Sequence, residues 1–139
     1  MSTSILASLN TISDAPARMT LIDEATGLPF RNAETGETAW LELLPSKGKA
    51  GLRFDRDTNN AAMKRSRRMT WDEISDQFLE KAVALTVGWH LIGPEGHAMD
   101  IPFAPEQVRA LYVSMPWVRE AVTTFCDTLG NFARAAPTS

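Results

Sequence analysis

The stretch that decides the fold class spans residues 88–117 and reads GWHLIGPEGHAMDIPFAPEQVRALYVSMPW. Its large apolar residues are separated by Gly and Pro, which favour turns and helix starts. Pro105 and Pro116 each stand where a helix can begin, because the first helical position needs no backbone donor. The stretch therefore predicts an extended segment folded back on itself, followed by helices over 105–114 and 116–129.

A capping-box pattern precedes this stretch, with Thr70 followed three residues later by Glu73. Apolar residues then recur every three or four positions, which is the spacing of one helix face. These residues are Trp71, Ile74, Phe78, Ala82 and Leu85. The pattern predicts a helix over 71–87 that ends at Gly88 and buries this face in the core. A shorter helix is predicted over 59–68, capped by Asp57 or Thr58.

The N-terminal third has strand-like patterns interrupted by turns. The predicted strands are 19–22, 28–30, 38–44 and a short 52–54, and the first two turns end in Gly27 and Gly36. Such short antiparallel strands are unstable alone and must pack on helices. The sequence predicts an α+β fold, with N-terminal antiparallel strands or hairpins packed on about four helices.

The chain length of 139 residues fits one domain. We expect an N-terminal arm over 1–17, a single α+β domain over 18–132 and a tail over 133–139. Within the domain, 18–56 is predicted to be strand-rich and 57–132 mainly helical.

Composition and net charge argue against several classes of protein. A net charge of −3 argues against a dedicated nucleic-acid binder, which usually has a basic surface. The single Cys126 cannot form an intrachain disulfide, which fits a reducing cytosolic compartment. No apolar run approaches the ~20 residues of a membrane span, and the first residues lack the basic start of a secretory signal.

The sequence contains no recognisable catalytic set. His90, His97 and Asp100 could approach a metal, but no further ligand at a suitable spacing closes a site. Nucleophile-elbow and phosphate-binding glycine motifs are absent from the sequence. We therefore expect a non-enzymatic protein without a cofactor or metal.

One basic run interrupts an otherwise acidic chain, and it consists of Lys64, Arg65, Arg67 and Arg68. It either docks an acidic partner or nucleic acid, or forms the solvated face of a helix. The solvated face is the favoured interpretation, and nucleic acid is the less favoured partner because no aromatic residue interleaves the run.

Four aromatic residues stand at the ends of predicted elements: Trp89, Phe103, Trp117 and Phe132. Either they pack element ends together, or they form a patch that receives apolar segments of a partner. They are the apolar candidates for partner binding.

The pattern of turns and aromatic residues over about 19–132 resembles the small tail assembly chaperones of long-tailed bacteriophages. The residues that carry the resemblance are LID at 21–23, TGLP at 26–29, GW at 88–89, IPF at 101–103, PW at 116–117 and NF at 131–132.

This resemblance implies a function in tail assembly. Members of that family bind the tape measure protein, keep its apolar stretches soluble and help to recruit tail tube protein subunits. It also implies that the protein is encoded by a phage or prophage and acts in the host cytoplasm. It further implies that the protein is not part of the mature virion, and self-association is possible. Two alternatives stay open, namely a structural or connector protein of the virion and a nucleic-acid-binding regulator that uses Lys64 to Arg68.

Overall fold

The computed structural model describes residues 6–65 and 68–133, and it has an α+β fold with strands mainly N-terminal to four helices. The strands are β1 (Ala17–Thr20), β2 (Ile22–Asp23), β3 (Leu28–Pro29), β4 (Trp40–Leu43) and β5 (Thr86–His90). The helices are α1 (Lys49–Met63), α2 (Trp71–Leu85), α3 (Pro105–Ser114) and α4 (Pro116–Asp127), followed by a short 3-10 helix at Leu129–Phe132. No helix within the described ranges is long and apolar enough to cross a membrane.

Two small antiparallel sheets form the strand layer. The larger has the order β1-β4-β5, with Leu41 of β4 opposite Trp89 of β5, and the smaller is the β2–β3 hairpin. The turns at Gly27, Gly36 and Gly96 need positive φ angles of 73°, 77° and 88°, which glycine adopts without a steric penalty. The glycine-terminated turns predicted from the sequence are therefore confirmed.

The core lies between the central strand β4 and helices α2 to α4. Alternation along β4 buries Leu41 and Leu43 completely, as expected for a strand with one face in the core. The helices supply the other side of this core with Ala82, Leu85, Val108, Tyr112, Val118, Val122 and Cys126. A bidentate ion pair also ties α3 to α2, because Arg109 donates two bonds of 2.7 Å to the Glu80 carboxylate. These hydrogen bonds lower the pKa of Glu80.

The predicted starts of α2, α3 and α4 are confirmed. Thr70 Oγ1 accepts a 3.2 Å bond from the Glu73 amide, which completes the capping box. Pro105 and Pro116 open their helices as predicted. The predicted ends are slightly late, because α2 stops at Leu85 and the chain enters β5, while α4 gives way to the 3-10 helix.

The prediction for residues 49–58 is wrong, whereas the predicted helix over 59–68 is confirmed as far as Met63. A single helix begins at Lys49, so the expected strand at 52–54 and the boundary at residue 56 between strand-rich and helical parts do not exist. The suggested caps lie inside this helix, which is held by tertiary contacts: Lys81 of α2 donates 2.8 and 3.0 Å bonds to the Asp55 carboxylate. Residues 66–67 of the predicted helix lie outside the described residues.

The expected burial of the whole apolar face of α2 is also wrong. Ala82 and Leu85 are buried, but Trp71 is 85% exposed and Phe78 is 56% exposed. Ile74 lies between Trp71 and Phe78 and is half-buried, and it lines a cleft together with Phe54 of α1, so the N-terminal half of this face is covered only in part.

The N-terminal arm packs along the end of the domain. The amide of Ser13 donates a 2.7 Å bond to the carbonyl oxygen of Phe132, and Ile12 forms an isolated bridge with Ala133. The part of the predicted tail after residue 133 and the first five residues of the arm lie outside the described residues.

Candidate functional site

A cleft of about 320 Å³ opens between the segment that follows β5 and helix α3. We call it the Trp89 cleft. Its apolar walls come from distant parts of the chain, chiefly Leu21, Phe30, Trp89, Leu91, Met99 and Leu111. Gln107 and Ser114 supply its polar side chains, and its lining contains no ionisable group. The cleft can therefore bury apolar groups but offers no acid, base or charged anchor.

The indole of Trp89 is fixed in the cleft wall. Its Nε1 donates a 3.1 Å bond to the carbonyl oxygen of Ile101, so the polar edge of the ring has a partner. The ring of Phe103 meets the indole edge-on, with centroids 5.5 Å apart and an interplanar angle of 88°. Such edge-to-face pairs are a preferred aromatic geometry and stabilise the arrangement beyond simple area burial.

The turn over 92–98 forms the rim of the Trp89 cleft and is held at both ends. The amide of Met99 donates a 2.9 Å bond to the carbonyl oxygen of Leu91. The amide of Gly93 donates a 2.9 Å bond to the backbone carbonyl oxygen of His97. The amide of Ala33 donates a 2.9 Å bond to the carbonyl of Gly96, which joins this turn to the N-terminal hairpins. The cleft is therefore formed by hydrogen-bonded backbone rather than by side chains alone.

A second cleft of about 230 Å³ adjoins the first, and we call it the Trp117 cleft. Trp117 and Val118 of α4 line one side, while Met19 and Ile22 line the other. Leu21 lines both clefts, and Ser114 and Met115 of the Trp89 cleft come shortly before Trp117 in the chain. Trp117 and Phe103 are each about 40% exposed, whereas Trp89 is half-buried. The structure thus brings Trp89 and Phe103 into contact, while Trp117 lines a separate cleft that shares Leu21 with the Trp89 cleft.

The fourth candidate, Phe132, agrees with the other alternative, in which an aromatic residue packs the end of an element. It is 2% exposed and packs edge-on against Phe125, with ring centroids 5.6 Å apart. The 3-10 helix after α4 turns this side chain back onto the core, so its function is to close the end of the domain.

In the part of the chain that the structure describes, the two histidines lie apart from any candidate metal-binding group. Within residues 6–65 and 68–133, no group of three or more His, Cys, Asp or Glu side chains is arranged to hold a metal ion. His90 lies beside the Trp40 ring, and its Nε2 is 3.8 Å from the Glu37 carboxylate. Cys126 is buried, and burial raises the pKa of its thiol to about 12. A thiol of that pKa is almost entirely protonated at neutral pH and is a poor nucleophile.

The described basic candidates, Lys64, Arg65 and Arg68, lie between α1 and α2 and line neither cleft. Lys64 is exposed at the end of α1, and Arg65 forms a 3.2 Å ion pair with Glu73 in the first turn of α2. Arg68 is exposed, and Arg67 lies outside the described residues. At least one member of the run therefore stabilises the connection between the helices.

The sequence did not identify most walls of the Trp89 cleft. Leu21, Phe30, Met99 and Leu111 come from four separate segments, and only the tertiary fold brings them together. The Pro and Gly residues around the turn were the one available signal, because they fix the segment that carries Met99.

Comparisons of this chain with protein-family models, with curated proteins and with solved structures find no significant match. Its function therefore has to be argued from the geometry of the surface formed by the two clefts and from the resemblance in sequence pattern.

Proposed function

We propose that this protein is a non-enzymatic assembly chaperone that holds apolar segments of a client protein in the Trp89 cleft. The observation that carries the proposal is an apolar cleft with hydrogen-bonded walls and no ionisable lining group. A volume of about 320 Å³ is at the small end of typical ligand sites, which suits a few side chains of a client better than a large cofactor.

The exposed rings beside the cleft extend this surface. Phe103 and Trp117 can contact a client segment that continues past the cleft, and large aromatic residues often dominate binding energy at protein interfaces. Fully burying one Leu or Phe side chain contributes about 1.5–3 kcal/mol. A few such contacts would hold an apolar segment reversibly, as a chaperone must do.

The resemblance to the tail assembly chaperones of long-tailed phages indicates which protein the client would be. Under this proposal, the protein binds the tape measure protein, protects its apolar stretches and helps to recruit tail tube subunits in the host cytoplasm. A tube-protein gene just upstream and a gene for a very long helical protein just downstream would support this assignment. A head–tail connector or other virion component is the competing function, and its presence in purified particles by mass spectrometry would favour that alternative.

Co-expression tests the proposal. A tape measure fragment is expressed with the wild-type protein or with the Phe103→Ala, Trp117→Ala double variant, and the soluble fraction of the fragment is measured. Because both rings are substantially exposed, we expect the variant to fold and to keep less of the fragment soluble. Circular dichroism of the purified variant checks the fold. A folded variant that solubilises as much fragment as the wild type would count against this surface.

A further inference from the structure

Strands β1 and β2 follow each other almost without a break and leave one edge of the sheet open. Between them, Leu21 donates a 2.9 Å bond to the carbonyl oxygen of Ala39 and accepts a 3.2 Å bond from the amide of Phe30. Both backbone groups of Leu21 therefore face the side of β3 and β4. Because alternate residues of an antiparallel strand face the same neighbour, the residues in even positions turn their amides and carbonyls outward. These residues are Arg18, Thr20 and Ile22, and we call their outward side the open edge.

The open edge has no hydrogen-bond partner within residues 6–65 and 68–133. The larger sheet has the order β1-β4-β5, so β1 is its outermost strand. The side chain of Arg18 does not shield the edge, because its guanidinium lies 3.8 Å from the centroid of the Trp40 ring and 3.7 Å from the Glu42 carboxylate on the face of the sheet. Unpaired strand edges are templates for pairing with another chain, which proteins usually blunt or cover.

The Trp117 cleft runs along the open edge. The four consecutive residues from Met19 to Ile22 all line it, although their side chains alternate between the two faces of the strand. A cleft can meet all four only along an edge, and β4 occupies the other edge of β1. The opposite wall consists of Trp117, Val118 and Ala121 of α4. A row of free backbone groups therefore faces an apolar wall.

One end of the cleft is acidic. Glu24 is exposed and is the one ionisable group among the lining residues, and it forms no ion pair within the described ranges. Its neighbour Asp23 adds a second carboxylate, one oxygen of which accepts a 3.0 Å bond from the amide of Ala25. The charged residues of α4 nearest in sequence, Arg119 and Glu120, have opposite signs and do not line the cleft. A bound segment would therefore be favoured by a basic residue at the Glu24 end.

We propose that the open edge binds an extended segment of a partner protein, which adds a strand beside β1 and places alternate apolar side chains in the Trp117 cleft. In this mode of recognition the backbone bonds provide affinity and the cleft selects the side chains. Antiparallel pairing is expected, because every strand pair of the two sheets is antiparallel and this ladder is slightly more stable per residue. The N-terminal end of the segment then lies near Glu24, where a Lys or Arg complements the carboxylate.

Other occupants fit the open edge less well. An α-helical segment satisfies its backbone groups internally and would leave the edge unpaired. A second copy of this chain would bring its own α4 beside its own β1, so two helices would meet in the space that a single strand needs. The proposal depends on the open edge and not on the Trp89 cleft, and it does not require the proposed chaperone function.

A synthetic peptide of about eight residues provides the test, with Lys at the N-terminal end followed by alternating Val and Thr. It carries a fluorescent label, and its binding to the full chain is measured by fluorescence anisotropy. Residues directly opposite each other in a ladder share a face, so Val opposite Met19 and Leu21 would enter the cleft. The Thr residues would then lie opposite the open edge and direct their amides at it.

Two N-methylated peptides separate backbone pairing from apolar contact. Methylation of the Thr amides removes the donors that face β1, and we expect it to weaken binding roughly tenfold or more. Methylation of the Val amides leaves those donors in place and should preserve binding. Both comparisons use the wild-type protein, so they do not depend on the folding of a variant.

Variants of the protein test the cleft wall and the acidic end. Ala121→Glu places a carboxylate in the cleft and should weaken binding roughly tenfold or more. Thr124→Glu is the matched control, because Thr124 is exposed on α4 and does not line the Trp117 cleft. Glu24→Gln should weaken binding about twofold to fivefold at low salt, and the difference should shrink as salt rises. Circular dichroism checks the fold of each variant.

Several outcomes would overturn the proposal. These are no binding of the parent peptide up to about 1 mM, equal binding of the two methylated peptides, and equal binding by folded Ala121→Glu and the wild type. Sedimentation analysis that shows a dimer lost in Ala121→Glu would assign the edge to a second copy. Binding that is weakened by Ala110→Glu and not by Ala121→Glu would place the peptide in the Trp89 cleft instead.

Discussion

The hydroxyl oxygen of Tyr112 lies 2.5 Å from Oγ1 of Thr86, and this contact joins α3 to the first residue of β5. The Thr86 hydroxyl donates its own proton to the carbonyl of Ala82 at 2.7 Å. Because a hydroxyl has one proton to donate, Tyr112 must be the donor in the shared bond. These two hydrogen bonds thus anchor the junction between α2 and β5 inside the core.

Replacing Tyr112 with Phe removes this hydrogen bond and leaves the ring in place. We expect the free energy of unfolding to fall by about 0.5–1.5 kcal/mol, measured by urea denaturation. Thr86→Val should cost more, about 1–3 kcal/mol, because it leaves the buried Tyr112 hydroxyl without its partner. A Tyr112→Phe variant that is less stable than Thr86→Val would contradict the assigned direction of the bond.

Alkaline pH should destabilise the protein through two buried groups. Burial raises the pKa of Tyr112 above its usual value, and it raises that of Cys126 to about 12. The folded state then keeps protons that the unfolded chain loses above about pH 9, so the free energy of unfolding should fall as pH rises through this range. Urea midpoints measured at several pH values above 8 test the sign. Midpoints that stay constant, or that rise with pH, would show that neither group is held in its neutral form by the fold.

Gly51 should resist substitution because of a close backbone approach. A Cβ atom there would lie 2.0 Å from the carbonyl oxygen of Ser46, so Gly51→Ala forces the start of α1 away from the loop before it. We expect a loss of about 1–3 kcal/mol by thermal or urea unfolding, as for other overpacked sites. Gly130 is the matched control, because a Cβ there meets no atom within 4 Å. Equal stability of the two alanine variants would contradict the packing described for α1.

Local signals in the sequence were sufficient for the elements whose ends are fixed by local chemistry. The capping box at Thr70, the helix starts at Pro105 and Pro116 and the glycine turns all depend on residues within a few positions of one another. The start of helix α1 could not be predicted in this way. Its first turns contain Gly51, which suggests a loop, and their position depends on Ser46 and on the distant Lys81.

The candidate site, like the fold, could be predicted from local signals only in part. The aromatic residues at element ends pointed to Trp89, Phe103 and Trp117, but the same reasoning selected Phe132, which the fold buries. Helical periodicity placed Trp71 and Phe78 on the correct face of α2 yet gave no information on how far α4 covers that face. Burial depends on the length and position of the neighbouring helix, which a single helix pattern does not contain.

A charge placed inside the Trp89 cleft tests most directly whether this cleft binds a client segment. Ala110 is exposed on α3 and lines the cleft, whereas Ala84 is exposed on α2 and lines neither the Trp89 nor the Trp117 cleft. Both can be replaced by Glu, so the two variants differ in position but carry the same added charge.

The measurement is the dissociation constant of a tape measure fragment for each variant, obtained by isothermal titration calorimetry. An unpaired carboxylate in an apolar contact is strongly unfavourable, so Ala110→Glu should weaken binding by roughly tenfold or more. Ala84→Glu should bind as the wild type does. Equal affinity of Ala110→Glu and wild type, with both proteins folded, would contradict the assignment of the Trp89 cleft as the client site.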